Sequence, residues 1–581
     1  MKRIICAFLA LLMLAGALVA CGTDGGTETT TPAVEETTPA PTELVISTAD
    51  TFNYTIVRSK NATSEIISLA MSLRDSLTAM NKATGLKVTE DWVKKGEEAS
   101  SDACEIVIGL TEHPDMIALS SGLAMGSYAI KIVGSRILIA GHDKASLLSA
   151  INEFKRAIVK NEDGSLVIST DFAVQGSKNE YMSALPQYSI SKPGTAYDTG
   201  DDCTMIHVKR TNTAEYDDYL AALEKAGYTL YAKRTANANR FATYTGHGSV
   251  VNVCFTNYSK EVRILVEPES STGLPPRAED SANIKKTTTP SVSIVGLGYN
   301  LNSGLNEGAL CMIFVLPDGR LIVVDGGFRS YNNSDNPLLK AMKELSPDPN
   351  NIRIAAWFIT HSHIDHAAAL NRFAESSSLK KQIKVERFVL NFPTKEHYEH
   401  IDDEALADEI RSILPRAFPN AQIIKAHTGQ MYDFGCGATV EMLYTYDDYM
   451  PKMLDWNNTS SLVFRVTLEG QTCTVLADAT HATGHILVDM YGNYLKSDMV
   501  QLSHHGVIGI IADVYNYIKA PVLLWPATDS AVKKFYKDSY NVAALNHTRD
   551  LYVANTGITT LKMPYTIKKN KSAVLNKILK G

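Results

Sequence analysis

The fold class that the sequence predicts is α/β, with two smaller α/β or α+β accessory segments ahead of a larger C-terminal part. Three observations predict it. From about Leu44 onward, strand-like apolar runs alternate with stretches of helical period. In the C-terminal part, two strand–turn–strand units end on aspartates, Asp325 and Asp478, and an apolar strand ending in histidines follows each. The stretch His361-Ser362-His363-Ile364-Asp365-His366 packs three imidazoles and one carboxylate into six residues.

At the N-terminus, Lys2 and Arg3 precede the apolar run 4–20, which is short for a membrane span and reads as a signal-peptide core. Leu18-Val19-Ala20-Cys21 followed by Gly22 resembles a bacterial lipobox. The resemblance implies cleavage behind Ala20 and a lipid on Cys21, which would tether the chain to the extracytoplasmic face of the cell membrane. Residues 23–43 are Thr, Pro, Gly, Glu and Ala with Val34 the only larger apolar side chain, so residues 21–43 form a linker that cannot bury a core.

The net charge of -7, with no dense basic stripe outside Lys568, Lys569, Lys571, Lys577 and Lys580, argues against a protein that grips long nucleic acid through its phosphates. Cys104, Cys203, Cys254, Cys311, Cys436 and Cys473 are scattered without CxxC spacing, several in apolar runs. Buried thiols are expected rather than a disulfide framework.

Residues 44–180 read as an N-terminal α/β domain: helical period over 64–84, a strand at 105–109, a hairpin over 128–139 around Gly134-Ser135, and an amphipathic helix over 144–159. The pattern resembles the accessory N-terminal domain of many bacterial glycosidases and brings no catalytic residue with it. His113 and His142 are expected at the surface. Residues 181–290 alternate strand-like runs (205–209, 229–232, 241–244, 250–255, 262–266) with one helix, 214–226, stopped by Gly227. They read as an α+β accessory domain whose partner is wall polymer, another chain or the catalytic part itself.

Residues 291–581 carry the chemistry. The i, i+2 spacing of His361 and His363 keeps them off one helix face, so they leave a strand end together as ligands of one metal, with Asp365 and His366 facing a second. The runs 312–325 and 461–478 each read as strand, turn and strand, ending in Asp325 and Asp478. The strand 499–502 leads into Ser503-His504-His505-Gly506 as the run 352–360 leads into His361. Two similar halves delivering aspartates and histidines to strand ends assemble a two-metal site between two sheets.

With these residues in place, the C-terminal half resembles a metallo-β-lactamase-fold hydrolase, a four-layer αββα sandwich, through its HxHxDH signature His361, His363, Asp365 and His366. Asn457-Asn458-Thr459-Ser460-Ser461-Leu462-Val463 and Ser503-His504-His505-Gly506 resemble more narrowly the branch of competence-protein (ComEC-like) nuclease domains and choline-phosphate esterases of teichoic acid. The resemblance implies His361 and His363 as ligands of the first metal, Asp365 and His366 of the second, and Asp478 bridging both. It implies His504 as the last ligand and His505, with Asp365 among the catalytic groups, orienting substrate or protonating the leaving group; as neighbours, the two histidines can exchange roles. Asp325 is the expected positioning carboxylate behind a ligand histidine, and Asn458 is expected near the metals against substrate. No third histidine for the first metal stands out: His427 lies in the right interval but reads as the start of a strand. His481 and His485 are expected to face solvent, and His397, His400 and His547 to lie at the surface.

The resemblance implies two divalent ions, zinc first and manganese or iron next, that share a hydroxide able to attack phosphorus or a carbonyl carbon. The expectation is a lipid-anchored, extracytoplasmic metal-dependent hydrolase of phosphodiesters in nucleic acid or wall polymer. Its expected partners are a substrate with phosphodiester or ester bonds, the membrane through the lipid, and the cell wall through the accessory domains. The competing readings are a surface binding protein with a vestigial hydrolase domain, and a hydrolase of lactones or lactams.

Overall fold

The computed structural model describes residues 42–581 except 92–102, 122, 124–125, 143, 178–179, 190, 193, 298–307, 331, 400–403 and 581. The signal peptide, Cys21, nearly all of the linker and His400 lie outside the described residues. The chain divides into two compact units, residues 1–178 and 179–581.

In the first unit, a six-stranded sheet is built on four parallel strands, Val88–Glu90, Thr55–Arg58, Glu105–Ile108 and Arg136–Gly141, the last of which pairs through the Gly134 turn with Ser127–Val133. The helices Ser64–Asn81 and Lys144–Ala157 pack on it through Leu73, Leu77, Leu147, Ile151 and Phe154 against Ile106, Ile108, Ile137 and Ile139. Thr63 caps the first helix and Lys82, in the left-handed region, ends it two residues before the limit that periodicity suggested. His113, expected at the surface, is buried beside Glu105, whereas His142 is exposed.

The second unit contains both the remaining accessory segment and the C-terminal part. The accessory segment is a six-stranded antiparallel sheet in which Thr195–Gly200, an edge strand that the sequence reading missed, joins the five expected ones. Asn212 caps its helix, Thr213–Lys225. The C-terminal part is a sandwich of an eight-stranded and a seven-stranded sheet. Alternation along each strand divides its side chains between layers: Met312 and Phe314 meet Val440, Met442, Phe464 and Val475 between the sheets, while Cys311, Ile313 and Val315 face Leu338, Ala367, Leu370 and Phe373 of the helices outside. On the far face, Leu443, Val463 and Leu523 pack against Leu487, Val514, Ile518 and Val532 of the other helical layer. This is the expected αββα order.

The antiparallel sheet packs against the C-terminal sandwich of the same chain. Phe241 and Cys254 join the buried cluster of Leu443, Tyr444, Met490 and Tyr491. Asn239 donates to Met490 O at 2.7 Å, and Arg234 is paired with Glu441, which Arg465 and the Tyr494 hydroxyl also hold at 2.6 and 2.7 Å. His397, expected at the surface, is buried in this seam and its Nε2 donates to Asp198 O at 2.7 Å. His547 is half-buried with Nε2 beside Asn516. Among the described residues the cysteines are free, with Cys203, Cys254, Cys311 and Cys473 buried and Cys104 and Cys436 exposed. No helix among the described residues is long and apolar enough to cross a membrane.

Burial alone would raise the Glu441 carboxyl, but Arg234 and Arg465 outweigh it and hold the group below its ordinary value of 4.5. A depressed carboxylate contributes stability above its unfolded value that is lost as pH falls through the folded one. Glu441→Gln, which takes the charged partner from two half-buried guanidinium groups, is therefore expected to cost about 2 kcal/mol in urea unfolding at pH 7. The gap from the wild type should narrow as pH falls below 4.5; an equal gap at both pH values would show that the ion pairs do not hold this seam.

Candidate metal centre

Both sheets deliver their ionisable residues at one end of the sandwich. The hairpin Cys311–Val315 and Leu321–Asp325 ends on Asp325, and the parallel strand Ile352–Phe358 beside it delivers Thr360 and His361. The helix Ile364–Glu375 starts immediately, with His363 as its extended N-cap. His361 and His363 thus leave on non-helical backbone, and His366 sits in the first helical turn. On the facing sheet, the hairpin Val463–Leu468 and Gln471–Val475 leads to Asp478, and Met499–Gln501, parallel to its second strand, leads to Ser503 and the two histidines.

Asp325 is fully buried behind the site. Its carboxylate accepts from Thr360 N and Thr360 Oγ1 at 2.8 Å each and from His366 Nδ1 at 2.8 Å. With Nδ1–H committed, His366 turns Nε2 towards Asp478 Oδ2, 3.1 Å away. Asp478 Oδ2 also lies 3.9 Å from His361 Nε2, 3.6 Å from His505 Nε2 and 3.7 Å from His504 Nε2. Two donor groups meet there: His361, His363 and Asp478, and Asp365, His366, Asp478 and His505, the ligand atoms of each lying within 4.8 Å of one another.

The last two histidines, whose roles the sequence left exchangeable, are placed differently. His505 Nδ1 donates to Pro526 O at 2.8 Å and its Nε2 lies 3.2 Å from Asp365, inside the second donor group. His504 stands beside the groups: Nδ1 donates to Ile508 O, Nε2 accepts from Asn458 Nδ2 at 3.2 Å, and Trp456 meets its ring edge-on. The backbone is no longer extended at these two residues, so position along the strand does not fix which side chain turns inward. His504 and His505 have φ values of 49° and 53°, and two successive left-handed residues redirect the side chains. Gly506, at φ 85°, completes the turn, where a Cβ would come within 2.7 Å of the Trp525 ring.

Asn458 is fully buried, and its neighbour Asn457 ties the loop to the signature by donating to Ser362 Oγ at 2.9 Å. Sequence reasoning overlooked Thr360, whose hydroxyl joins Asp325 to His361, and Gln501, whose side chain accepts from Leu476 N and Ala477 N and donates to Ala477 O. Gln501 had a signal: a polar residue inside an otherwise apolar strand. His427 is not in either donor group, and both its ring nitrogens bind carboxylates, Asp447 at 2.7 Å and Glu267 at 3.0 Å. His481 and His485 are exposed on the following helix.

The electrostatics suit a cation. Burial, with His366 and His363 beside it, holds His361 well below its ordinary value, so its ring is neutral and carries a lone pair. Burial opposes protonation of His366 too, but Asp478, Asp365 and Asp325 outweigh it and push that ring up. Asp478 is held well down despite burial, by His366 and His505. His366 Nε2, His505 Nε2 and Asp478 Oδ1 are buried with no hydrogen-bond partner. Orphaned imidazole nitrogens around a carboxylate fit a divalent metal of the zinc, manganese or iron class.

Among curated proteins none matches. Solved structures similar to the chain include a variant of CmlA beta-hydroxylase, 13% identical, covering 61% of this chain and 79% of its own with a TM-score of 0.31. Zn(2+)-bound PqqB from Methylobacterium extorquens is 12% identical and covers 47% of this chain and all of its own, also at 0.31. A family model described as the Metallo-beta-lactamase superfamily matches residues 307–417, from just before the first hairpin to the helix Glu404–Ala417. Residues 307–417 therefore carry a metallo-β-lactamase superfamily domain, and the two donor groups that meet at Asp478 are candidates to hold a metal ion.

Proposed function

We propose that the chain is a hydrolase using two divalent ions held at Asp478, and that phosphodiesters are its substrate class. The observation that carries the reading is the convergence of two donor groups on one buried carboxylate. His361 and His363 would hold one ion, Asp365, His366 and His505 the other, and Asp478 both. The ions would supply water activation near neutral pH and neutralise charge on the substrate's non-bridging oxygens.

The chain's own groups do the rest. Asp325 and Pro526 O hold the Nδ1 protons of His366 and His505, so that each presents Nε2. His504, which burial keeps below its ordinary value, has an Nε2 lone pair beside the centre; it takes up a proton there and returns it to the leaving oxygen. Asn458, hydrogen-bonded to that nitrogen, orients it. The phosphodiester reading rests on the likeness of the 457–463 and 503–506 motifs to the nuclease-like and choline-phosphate esterase branch. We further propose that Cys21 carries a lipid outside the membrane, supported by the lipobox-like 18–22 segment.

Asp478→Ala is expected to release both ions and to lower hydrolysis of bis-nitrophenyl phosphate at least about 1,000-fold, a loss of roughly 4 kcal/mol of transition-state stabilisation. Turnover of a chromogenic cephalosporin or a lactone, with none of the phosphodiester, would transfer the site to another substrate class. The neighbouring histidines separate ligand from proton carrier: His505→Ala should lose a metal equivalent by elemental analysis, whereas His504→Ala should keep its metals and lose about 100-fold in kcat. The opposite pattern would restore the assignment made from sequence. Cys21→Ser should move the protein from the membrane to the soluble fraction with kcat unchanged; retention at the membrane would refute the anchor.

A further inference from the structure

The buried group at the seam between the antiparallel sheet and the sandwich has no part in the centre at Asp478. Cys203, at the start of the strand Cys203–Lys209, and Glu267, near the end of Glu261–Pro268, come from neighbouring strands of the antiparallel sheet, and His427 follows the strand Gln422–Lys425 of the sandwich. Each is about 1% exposed, and their ligand atoms lie within 4.8 Å of one another.

His427 is oriented as His366 is. A buried carboxylate, Asp447, binds Nδ1 at 2.7 Å as Asp325 binds His366 at 2.8 Å, and Nε2 is left facing Glu267 Oε1 at 3.0 Å. Asn391 and Thr445 hold Asp447 in turn, at 3.1 and 2.9 Å. A carboxylate behind Nδ1 with Nε2 turned to further donors is the arrangement of a metal-ligating histidine. A cavity of about 250 Å³ that Glu267 and Lys425 help to line adjoins the group, with room for water as a fourth ligand.

We propose that Cys203, Glu267 and His427 bind a divalent ion of the zinc class, which clamps the antiparallel sheet onto the hydrolase sandwich. Binding forms metal–sulfur, metal–nitrogen and metal–oxygen bonds. One proton leaves the Cys203 thiol and one leaves His427 Nε2, both to solvent, and nothing is oxidised or reduced. Two protons exchanged for one divalent ion leave the buried charge unchanged, so Lys425, whose Nζ donates to Gly200 O at 2.7 Å, need not move or deprotonate. The thiolate selects zinc, cobalt or cadmium over magnesium, calcium or manganese. Among the described residues no other group of three such donors contains a thiol.

That thiol makes the test independent of the hydrolase reading, because the centre at Asp478 has none. The full chain loaded with Co²⁺ is expected to show a thiolate-to-cobalt charge-transfer band in the near ultraviolet. The band should persist in Asp478→Ala and disappear in Cys203→Ser. X-ray absorption of the zinc-loaded, unmutated chain should show sulfur scattering at about 2.3 Å, diluted by the ions at Asp478, a result that depends on no variant folding. Nitrogen and oxygen scattering alone, or a band that survives Cys203→Ser, would overturn the site and leave His427 as the centre of a purely ionic cluster. Loss of the band in Asp478→Ala would equally overturn a site separate from the hydrolase centre.

Discussion

The Asp478 carboxylate, buried where the ends of two sheets meet, is the constraint on which the rest of the molecule depends. An ionised carboxylate taken out of water is tolerated only where compensating groups surround it. Here the compensation comes from both halves of the sandwich, with His361 and His366 from one sheet and His504 and His505 from the other. Neither half can satisfy the group alone. The pairing of the sheets, driven by the apolar layer of Met312, Phe314, Phe358, Phe464 and Val475, is what makes the cluster possible.

The site is held by strained backbone as well as by packing. Asp325, Ala477, His504 and His505 all lie at positive φ, a conformation that costs roughly 1–3 kcal/mol for a residue other than glycine. Neighbours that are themselves fixed oppose the cost. Gln501 grips the peptide groups around Ala477, Asp325 is pinned by Thr360, and the turn at His504 and His505 closes over Trp525, whose Nε1 donates to His505 O at 2.8 Å. The positive-φ residues stand at the strand ends, within or next to the cluster around Asp478.

The antiparallel sheet belongs to the same compact unit as the sandwich. Ion pairs of Arg234 with Glu441, apolar contacts of Phe241 and Cys254, and the buried group around His427 join it to the sandwich on the side of the Asn-rich loop. Tyr398, which packs with Met205 and Leu265 of that sheet, donates to Asn457 at 2.9 Å, and Asn457 in turn holds Ser362 within the signature. A chain of contacts thus runs from the accessory sheet to the 361–366 signature.

Much of this was readable from residue order. Period-two and period-3.6 patterns placed the hairpins before Asp325 and Asp478 and three helices of the accessory regions, though not Pro114–Ser121, because strand and helix preferences are local. The HxHxDH spacing disclosed metal chemistry, since only a strand end running into a helix N-terminus can present those side chains together. What only the tertiary structure decided was which of His504 and His505 turns inward, that His427 belongs to a different buried group, that His113 and His397 are interior, and that the antiparallel sheet covers the sandwich. These depend on left-handed backbone and on contacts between residues as far apart as Glu267 and His427. Neither leaves a periodic trace in the sequence, because each arises from packing that forms only when distant strands meet.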